Sequence, residues 1–259
     1  MKPLNVLAWD TATDRAAAAL IRWRHGAVEI LADHAGDSGL HSQLLPPLAA
    51  RMLGDNGLAP NQVDLVVVGR GPGSFTGLRT GLALAKGLAW GAGRPVLGLG
   101  TLDVLAAQIL ADEPDPEALA APVIDARHGE VFVSLHGREG LVRPPSALPP
   151  LALPAALGAT AQGRPIRVDG PAWPLVRDAL AGAELMAGTG EGRRVSAVVL
   201  AGLGAEVFQK EPEAWLVHPP LPLYIRSPDL RPGPVPGPPA GGPRGCASLA
   251  GRNRRVSGE

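Results

Sequence analysis

The stretch GRGPGSFTGLRTG, Gly69 to Gly81, directly follows the apolar run VDLVVV, Val63 to Val68. Glycines between a buried strand and a helix N-terminus let backbone N–H groups approach an anion, so phosphate binding is the first chemistry to weigh. The established phosphate loops fail one by one. A Walker A loop closes on Gly-Lys-Ser/Thr, but Leu78 and Arg79 follow Gly77. A dinucleotide G-x-G-x-x-G needs glycine at 74 or 76, where Ser74 and Thr76 stand. A nucleophile elbow, G-x-S-x-G, fails because Gly77 lies three residues after Ser74.

Two carboxylates could carry other chemistry. Asp10 ends the apolar run LNVLAWD beside the polar turn TATD, and Asp125 occupies the same position in APVIDARHGEVF. Such groups hold magnesium or orient a nucleotide, or they simply form the turn; both readings stay open. The six histidines, at 25, 34, 41, 128, 136 and 218, include no i, i+4 pair for a helical metal site. His41 precedes a helix and reads as a capping or surface residue.

These residues must be positioned by strands and helices. Leu4–Asp10 reads as a buried strand and RAAAALIRW as its return. HSQLLPPLAARMLG, His41 to Gly54, reads as a helix with an apolar stripe through Leu44, Leu48 and Met52 and through Leu45, Ala49 and Leu53. Pro46 and Pro47 must then lie in its first turn. The β-branched run before the glycine loop reads as a central strand covered on both faces. The helix after the loop carries a ridge of small residues four apart, Gly77, Gly81, Ala85 and Ala89, beside Leu78, Leu82 and Leu88. Such a ridge admits a close neighbour, either within the fold or in a partner. PVLGLG is a further short strand. TLDVLAAQIL is a helix with Thr101 as its expected N-cap, and Ala197–Gln209 is another. The strand–Asp–turn–strand unit at the start recurs at Ala121–Gly137, which reads as an internal duplication.

Composition sets the outer bounds. Hydrophobic residues make up 46% and charged residues 19% of 259, a globular profile, and the formal net charge of zero supplies no global pull toward nucleic acid or membrane. No apolar stretch is long enough to span a membrane. The apolar N-terminal run ends too early for a secretory signal, and the single cysteine, Cys246, fits a reducing, cytoplasmic compartment. From Pro228 proline and glycine dominate, which reads as a disordered tail ending in RNRR.

The motifs DTAT (10–13), HSQLLP (41–46), GRGPGSFTGLRTGLALAKGLA (69–89), IDARHGEVF (124–132) and YIRSPD (224–229) occur in this order, and together the chain resembles the TsaB (YeaZ) family. The resemblance implies an α/β fold of the actin-like, sugar-kinase-like ATPase class. Its parts would be an N-terminal half-domain over 1–111, a related half-domain over 112–229 and the tail over 230–259. It also implies a non-catalytic subunit of the machinery that forms N6-threonylcarbamoyladenosine on tRNA beside the anticodon. That subunit supports a TsaD-like transferase, works with a TsaE-like ATPase, and pairs with itself when alone. It requires no cofactor or metal of its own, ATP or ADP with magnesium belonging to the complex. The expected partner interface comprises Leu44, Leu45, Leu48, Met52, Gly77, Leu78, Gly81, Leu82, Ala85 and Ala89. Asp10, Thr11, Thr13, Gly71, Gly73, Ser74 and Asp125 would be a vestigial nucleotide site. The alternative is an ATP-using enzyme of the same fold. DTAT lacks the glycine usual in catalytic members of the wider superfamily, which weakens that alternative, and the missing histidine pair leaves little for a metalloprotease.

Overall fold

The computed structural model describes residues 2–36, 45–183, 186–188, 192–211, 213 and 219–225. Leu44, His41 and the expected tail over 230–259 lie outside them. Leu4–Asp10 (β1), Ala16–Arg24 (β2) and Ala27–Gly36 (β3) form an antiparallel meander. Helix Leu45–Asp55 (α1) leads to Leu65–Gly69 (β4), parallel to β1. Helix Phe75–Ala92 (α2) leads to Val96–Leu99 (β5), parallel to β4, and Thr101–Asp112 (α3) closes the half. The sheet order is β3-β2-β1-β4-β5.

The second half repeats the plan. Leu119–Arg127 (β6), Glu130–Gly137 (β7) and Gly140–Leu148 (β8) are antiparallel. Leu153–Ala161 (α4) precedes Ile166–Asp169 (β9), and the short Trp173–Val176 (α5) precedes Met186–Ala187 (β10). Ala197–Lys210 (α6) ends the half. The order β8-β7-β6-β9-β10 matches the first sheet strand for strand, which is the duplication expected from the two strand–Asp–turn units. Two sheets of matching order in a mixed α/β chain agree with the actin-like ATPase fold that the resemblance implies.

One core cluster is shared by the two halves, and each half has another of its own. On one face of the first sheet Leu7, Trp9, Leu20, Val66 and Val68 pack against α1 and α2. On the other, Val6, Ala8, Leu65 and Val67 meet α3 and α6 together with Ile124 and Phe132 of the second sheet. Strand β4 thus serves both faces, as its continuous apolar run requires: Leu65 and Val67 point one way, Val66 and Val68 the other. The closing helices cross over. α3 packs on β6 and β7, while α6 packs on β1, β2 and β4. A Cβ at Gly204 of α6 would run into the Val67 side chain, so glycine sets that close approach. The halves are joined through the cluster that α3 and α6 form with both sheets, and Met1–Ser227 forms one compact unit.

Two local details stand out, the second a departure from the sequence reading. Strand β8 carries Pro144 and Pro145, which as an edge strand it tolerates because its outer N–H groups need no partner. Gly100, not Thr101, is the N-cap of α3; the Thr101 side chain has another partner.

Candidate functional site

The Thr101 hydroxyl donates to Asp10 Oδ2 at 2.7 Å and accepts from the Gly71 N–H at 3.2 Å. The Thr101 N–H in turn donates to the Gly71 carbonyl at 2.8 Å. Asp10 Oδ1 accepts from the Ala12 N–H at 2.8 Å. Asp10, Thr11 and Thr101 are completely buried. A Cβ on Gly69 would overlap the Asp10 carboxylate. The strand-ending carboxylate thus ties β1, the loop after β4 and the first turn of α3 together. Burial raises its pKa above the usual carboxylate range, against the lowering effect of the Thr101 and Ala12 hydrogen bonds.

The glycine loop is packed in the same way. The Ser74 N–H donates to the Ala12 carbonyl at 2.6 Å. Ser74 Oγ accepts from the Gly77 N–H at 3.2 Å and so caps α2 from within the chain. Thr11 Oγ1 donates to the Gly77 carbonyl at 2.8 Å. A Cβ at Gly73 would overlap the Ala12 carbonyl, one at Gly77 the Thr11 carbonyl, and one at Gly81 the Thr11 hydroxyl. The glycines are needed because the backbone of the 10–13 turn lies directly on the loop and on the first turns of α2. Thr13 Oγ1 donates to the Arg15 carbonyl and shapes the turn itself.

Asp125 is not drawn into this cluster. Its Oδ1 accepts from the Arg127 N–H at 2.7 Å, and its Oδ2 lies 3.1 Å from the Arg127 guanidinium. An ATP–magnesium site would need the Asp10 carboxylate open to the ligand and the N–H groups opening α2 unspent. Asp10 is engaged by Thr101 and the Ala12 N–H and packed against Gly69, and at the helix end Ser74 Oγ takes the Gly77 N–H. The buried Asp10 carboxylate is not placed to meet a magnesium ion.

Beyond the strand ends, the stretch 192–196 clamps both halves. Arg194 pairs with both oxygens of Asp14 at 3.2 and 3.3 Å, and Gln108 of α3 bonds the Arg194 carbonyl and the Ser196 N–H. Arg193 reaches Asp112 at 2.8 Å and the buried Asp169 at 3.4 Å. A serine–histidine–aspartate set also exists, Ser134, His136 and Asp103, but it has no relay geometry. Ser134 Oγ lies 2.7 Å and Asp103 Oδ1 3.8 Å from the same ring nitrogen, His136 Nε2, and Ser134 is completely buried.

The expected interface residues face inward. Leu45, Leu48 and Met52 of α1, and Leu78, Leu82, Ala85 and Ala89 of α2, belong to the core beneath the first sheet. Gly77 and Gly81 are buried with them, and Trp9 Nε1 donates to the Gly81 carbonyl at 2.9 Å. Leu44 lies outside the described residues. The small-residue ridge is a site of close approach within the chain, where Gly77 and Gly81 lie against Thr11 in the turn after β1. Substitutions such as Gly81→Leu or Ala85→Arg would strike the fold before any partner.

The outer face of α2 is the one left open. It presents Arg79, Ala83, Lys86, Gly87, Trp90 and Gly91. Trp90 is 89% exposed, and a Cβ on Gly87 or Gly91 would meet nothing within 4 Å. At the N-terminal end Arg79 lies over the Phe75 ring at 3.8 Å and donates to Tyr224 Oη at 3.3 Å. The sequence reading missed this second small-residue stripe, 83/87/91, although the charges at 79 and 86 mark its side of the helix as the solvated one.

A family model described as TsaD, tRNA N6-adenosine threonylcarbamoyltransferase, matches residues 37–141. The tRNA threonylcarbamoyladenosine biosynthesis protein TsaB of Haemophilus influenzae is 38% identical over 140 residues, 54% of this chain and 56% of that protein. Its Escherichia coli counterpart is 36% identical over 136 residues, 52% of this chain and 56% of that protein. The match thus spans little more than half the length of these relatives. Among solved structures, YeaZ from Pseudomonas aeruginosa superposes with a TM-score of 0.64 at 26% identity, covering 85% of this chain and 100% of that one. By these sequence relatives, the structural likeness and the motif order, the chain is similar to the TsaB (YeaZ) proteins.

Proposed function

We propose that the protein is a non-catalytic subunit of the assembly that forms N6-threonylcarbamoyladenosine on tRNA. Its task is to dock and support a TsaD-like transferase through the outward faces of α2 and α1. The names of its relatives supply the pathway, and the geometry of α2 supports the role. The observation that carries the reading is the contrast between the two ends of that helix. At its N-terminal end the Ala12 carbonyl and the Ser74 hydroxyl take the Ser74 and Gly77 N–H groups. Near its C-terminus, Trp90 stands in solvent beside open glycines. Exposed tryptophans flanked by small residues are the type of anchor on which protein interfaces concentrate their energy. ATP or ADP with magnesium, the TsaE-like ATPase and tRNA then belong to the assembled complex, in a cytoplasmic setting.

Two measurements test this. Size-exclusion chromatography with light scattering should give a defined complex when the chain is mixed with a TsaD-type transferase from the same organism. Thermal melting with magnesium-ATP should leave the Tm of the isolated chain unchanged. A rise of several degrees would show a ligand that binds the native state and would restore the ATP-using alternative.

A further inference from the structure

Helix α3 and the end of β7 line an open cavity of about 380 Å³, apart from the cluster around Asp10. Its floor is small: Ala107 and Ala111 on the helix and Gly137 after the strand's last side chain. Its polar groups stand at opposite ends. Asp103, in the first turn of α3, lies 3.8 Å from His136 Nε2. His136 is itself buried, and its second ring nitrogen, Nδ1, has no hydrogen-bond partner among the described residues. At the far end Arg138 donates from Nη2 to the carbonyl of Glu113, the residue that caps α3, at 2.6 Å. That bond fixes the guanidinium and leaves its remaining N–H groups for an anion. The Glu113 carboxylate does not neutralise it, because that group faces Arg167 at 3.6 Å and accepts from the Asp115 N–H.

The two ends thus carry unlike charges without compensation. Burial lowers the His136 pKa below 6.5, with the Asp103 carboxylate opposing. At neutral pH the ring is therefore uncharged, and Asp103 has no cationic partner among the described residues. Asp103 and Glu113 are ten residues apart, about 15 Å of helix axis. Allowing about 3 Å for a hydrogen bond at each end, a bound cation and a bound anion would lie about 9 Å apart. A single α-amino acid is too short for that span, whereas an extended tripeptide reaches about 10 Å. We propose that the cavity binds a short peptide with free termini, its ammonium group on Asp103, its carboxylate on Arg138 and small side chains over Ala107, Ala111 and Gly137. The volume lies at the low end of the range for small-ligand sites, which suits small side chains. A nucleotide fits less well. Arg138 would meet its phosphate, but no tryptophan, tyrosine or phenylalanine lines the cavity to stack its base.

The test is an NMR titration of the full chain near neutral pH with trialanine, its N-acetyl form, its C-terminal amide, alanine and AMP. Melting curves check that each variant folds. Trialanine should bind with a Kd on the order of 1 mM, and acetylation or amidation should each weaken it about tenfold. Asp103→Asn should weaken trialanine about tenfold and leave the affinity of the N-acetyl form unchanged. Arg138→Gln should weaken trialanine to a similar extent and leave that of the amide unchanged. Ala107→Leu, which fills the floor, should abolish binding while the Tm is kept. No shift with trialanine at about 10 mM overturns the inference. So does a loss in Asp103→Asn or Arg138→Gln that is the same for free and blocked peptides, because the termini then lie elsewhere. Alanine bound as tightly as trialanine contradicts the span and overturns it too. AMP bound more tightly than trialanine, and lost in Arg138→Gln, assigns the cavity to nucleotides and overturns the inference as well.

Discussion

The Thr101 hydroxyl and the Asp10 carboxylate are joined by a 2.7 Å hydrogen bond with both residues completely buried. A group that could hold a metal or nucleotide is thereby a structural tie between the first strand and the third helix. Burial is the largest influence on the Asp10 pKa and raises it above 3.8.

This makes the charge on Asp10 a cost to the fold. Because the folded-state pKa lies above the unfolded value, the favourable contribution of the protonated acid is full below about pH 3.8. It is lost as pH rises through the folded pKa. Asp10→Asn removes the charge at nearly constant shape. At neutral pH the variant should be at least as stable as wild type, and its advantage should shrink as pH falls toward 4. Urea unfolding of both proteins across that range checks this. A pH-independent difference would contradict it.

The two glycine stripes of α2 give opposite expectations. Gly77→Ala places a methyl on the Thr11 carbonyl and should cost about 3 kcal/mol or more through backbone displacement. Gly87→Ala enters open space and should stabilise the helix by about 0.5–1 kcal/mol. Denaturant midpoints of the pair decide which side of the helix faces the core. Equal and small effects would contradict the orientation described here.

Much of this arrangement was legible in the sequence. The apolar runs ending at Asp10 and Asp125 gave the two strand–turn–strand units, and the run Leu65–Val68 gave a strand buried on both faces. The orientation of α2 was not legible, because small residues occupy both its sides and periodicity alone does not say which side meets the sheet. The partner of Thr101 was hidden for a different reason. A threonine opening a helix has the local signature of a cap, while its actual acceptor, Asp10, lies 91 positions away in the chain. Strand β8 was obscured by Pro144 and Pro145, which an edge position makes harmless. The crossing of α3 and α6 between the halves leaves no local mark at all.

His136 provides a second titration. Burial lowers its pKa below 6.5, and the Asp103 carboxylate opposes that shift. A depressed base contributes stability that is present above pH 6.5 and lost as pH falls through its folded pKa. His136→Gln should flatten the part of the stability–pH curve just below 6.5. An unchanged slope in the variant would show that other groups set it.

The arginine clamp should be uneven. Arg193→Ala strips a charge partner from Asp169, whose side chain is only 2% exposed, and should cost about 2–4 kcal/mol. Arg194→Ala breaks a pair with Asp14 that is roughly half exposed on both sides and should cost less than about 1 kcal/mol. Comparable losses in thermal unfolding would contradict the distinction between the buried and the solvated pair.

The most direct measurement is a reconstituted modification reaction containing the TsaD-type transferase, the TsaE-like ATPase, the threonylcarbamoyl donor and tRNA, with and without this chain. Formation of N6-threonylcarbamoyladenosine should require the chain, should fall with Trp90→Ala, and should not occur when the chain replaces the transferase. Modification at an unchanged rate without the chain, or by the chain in the transferase's absence, would contradict the account.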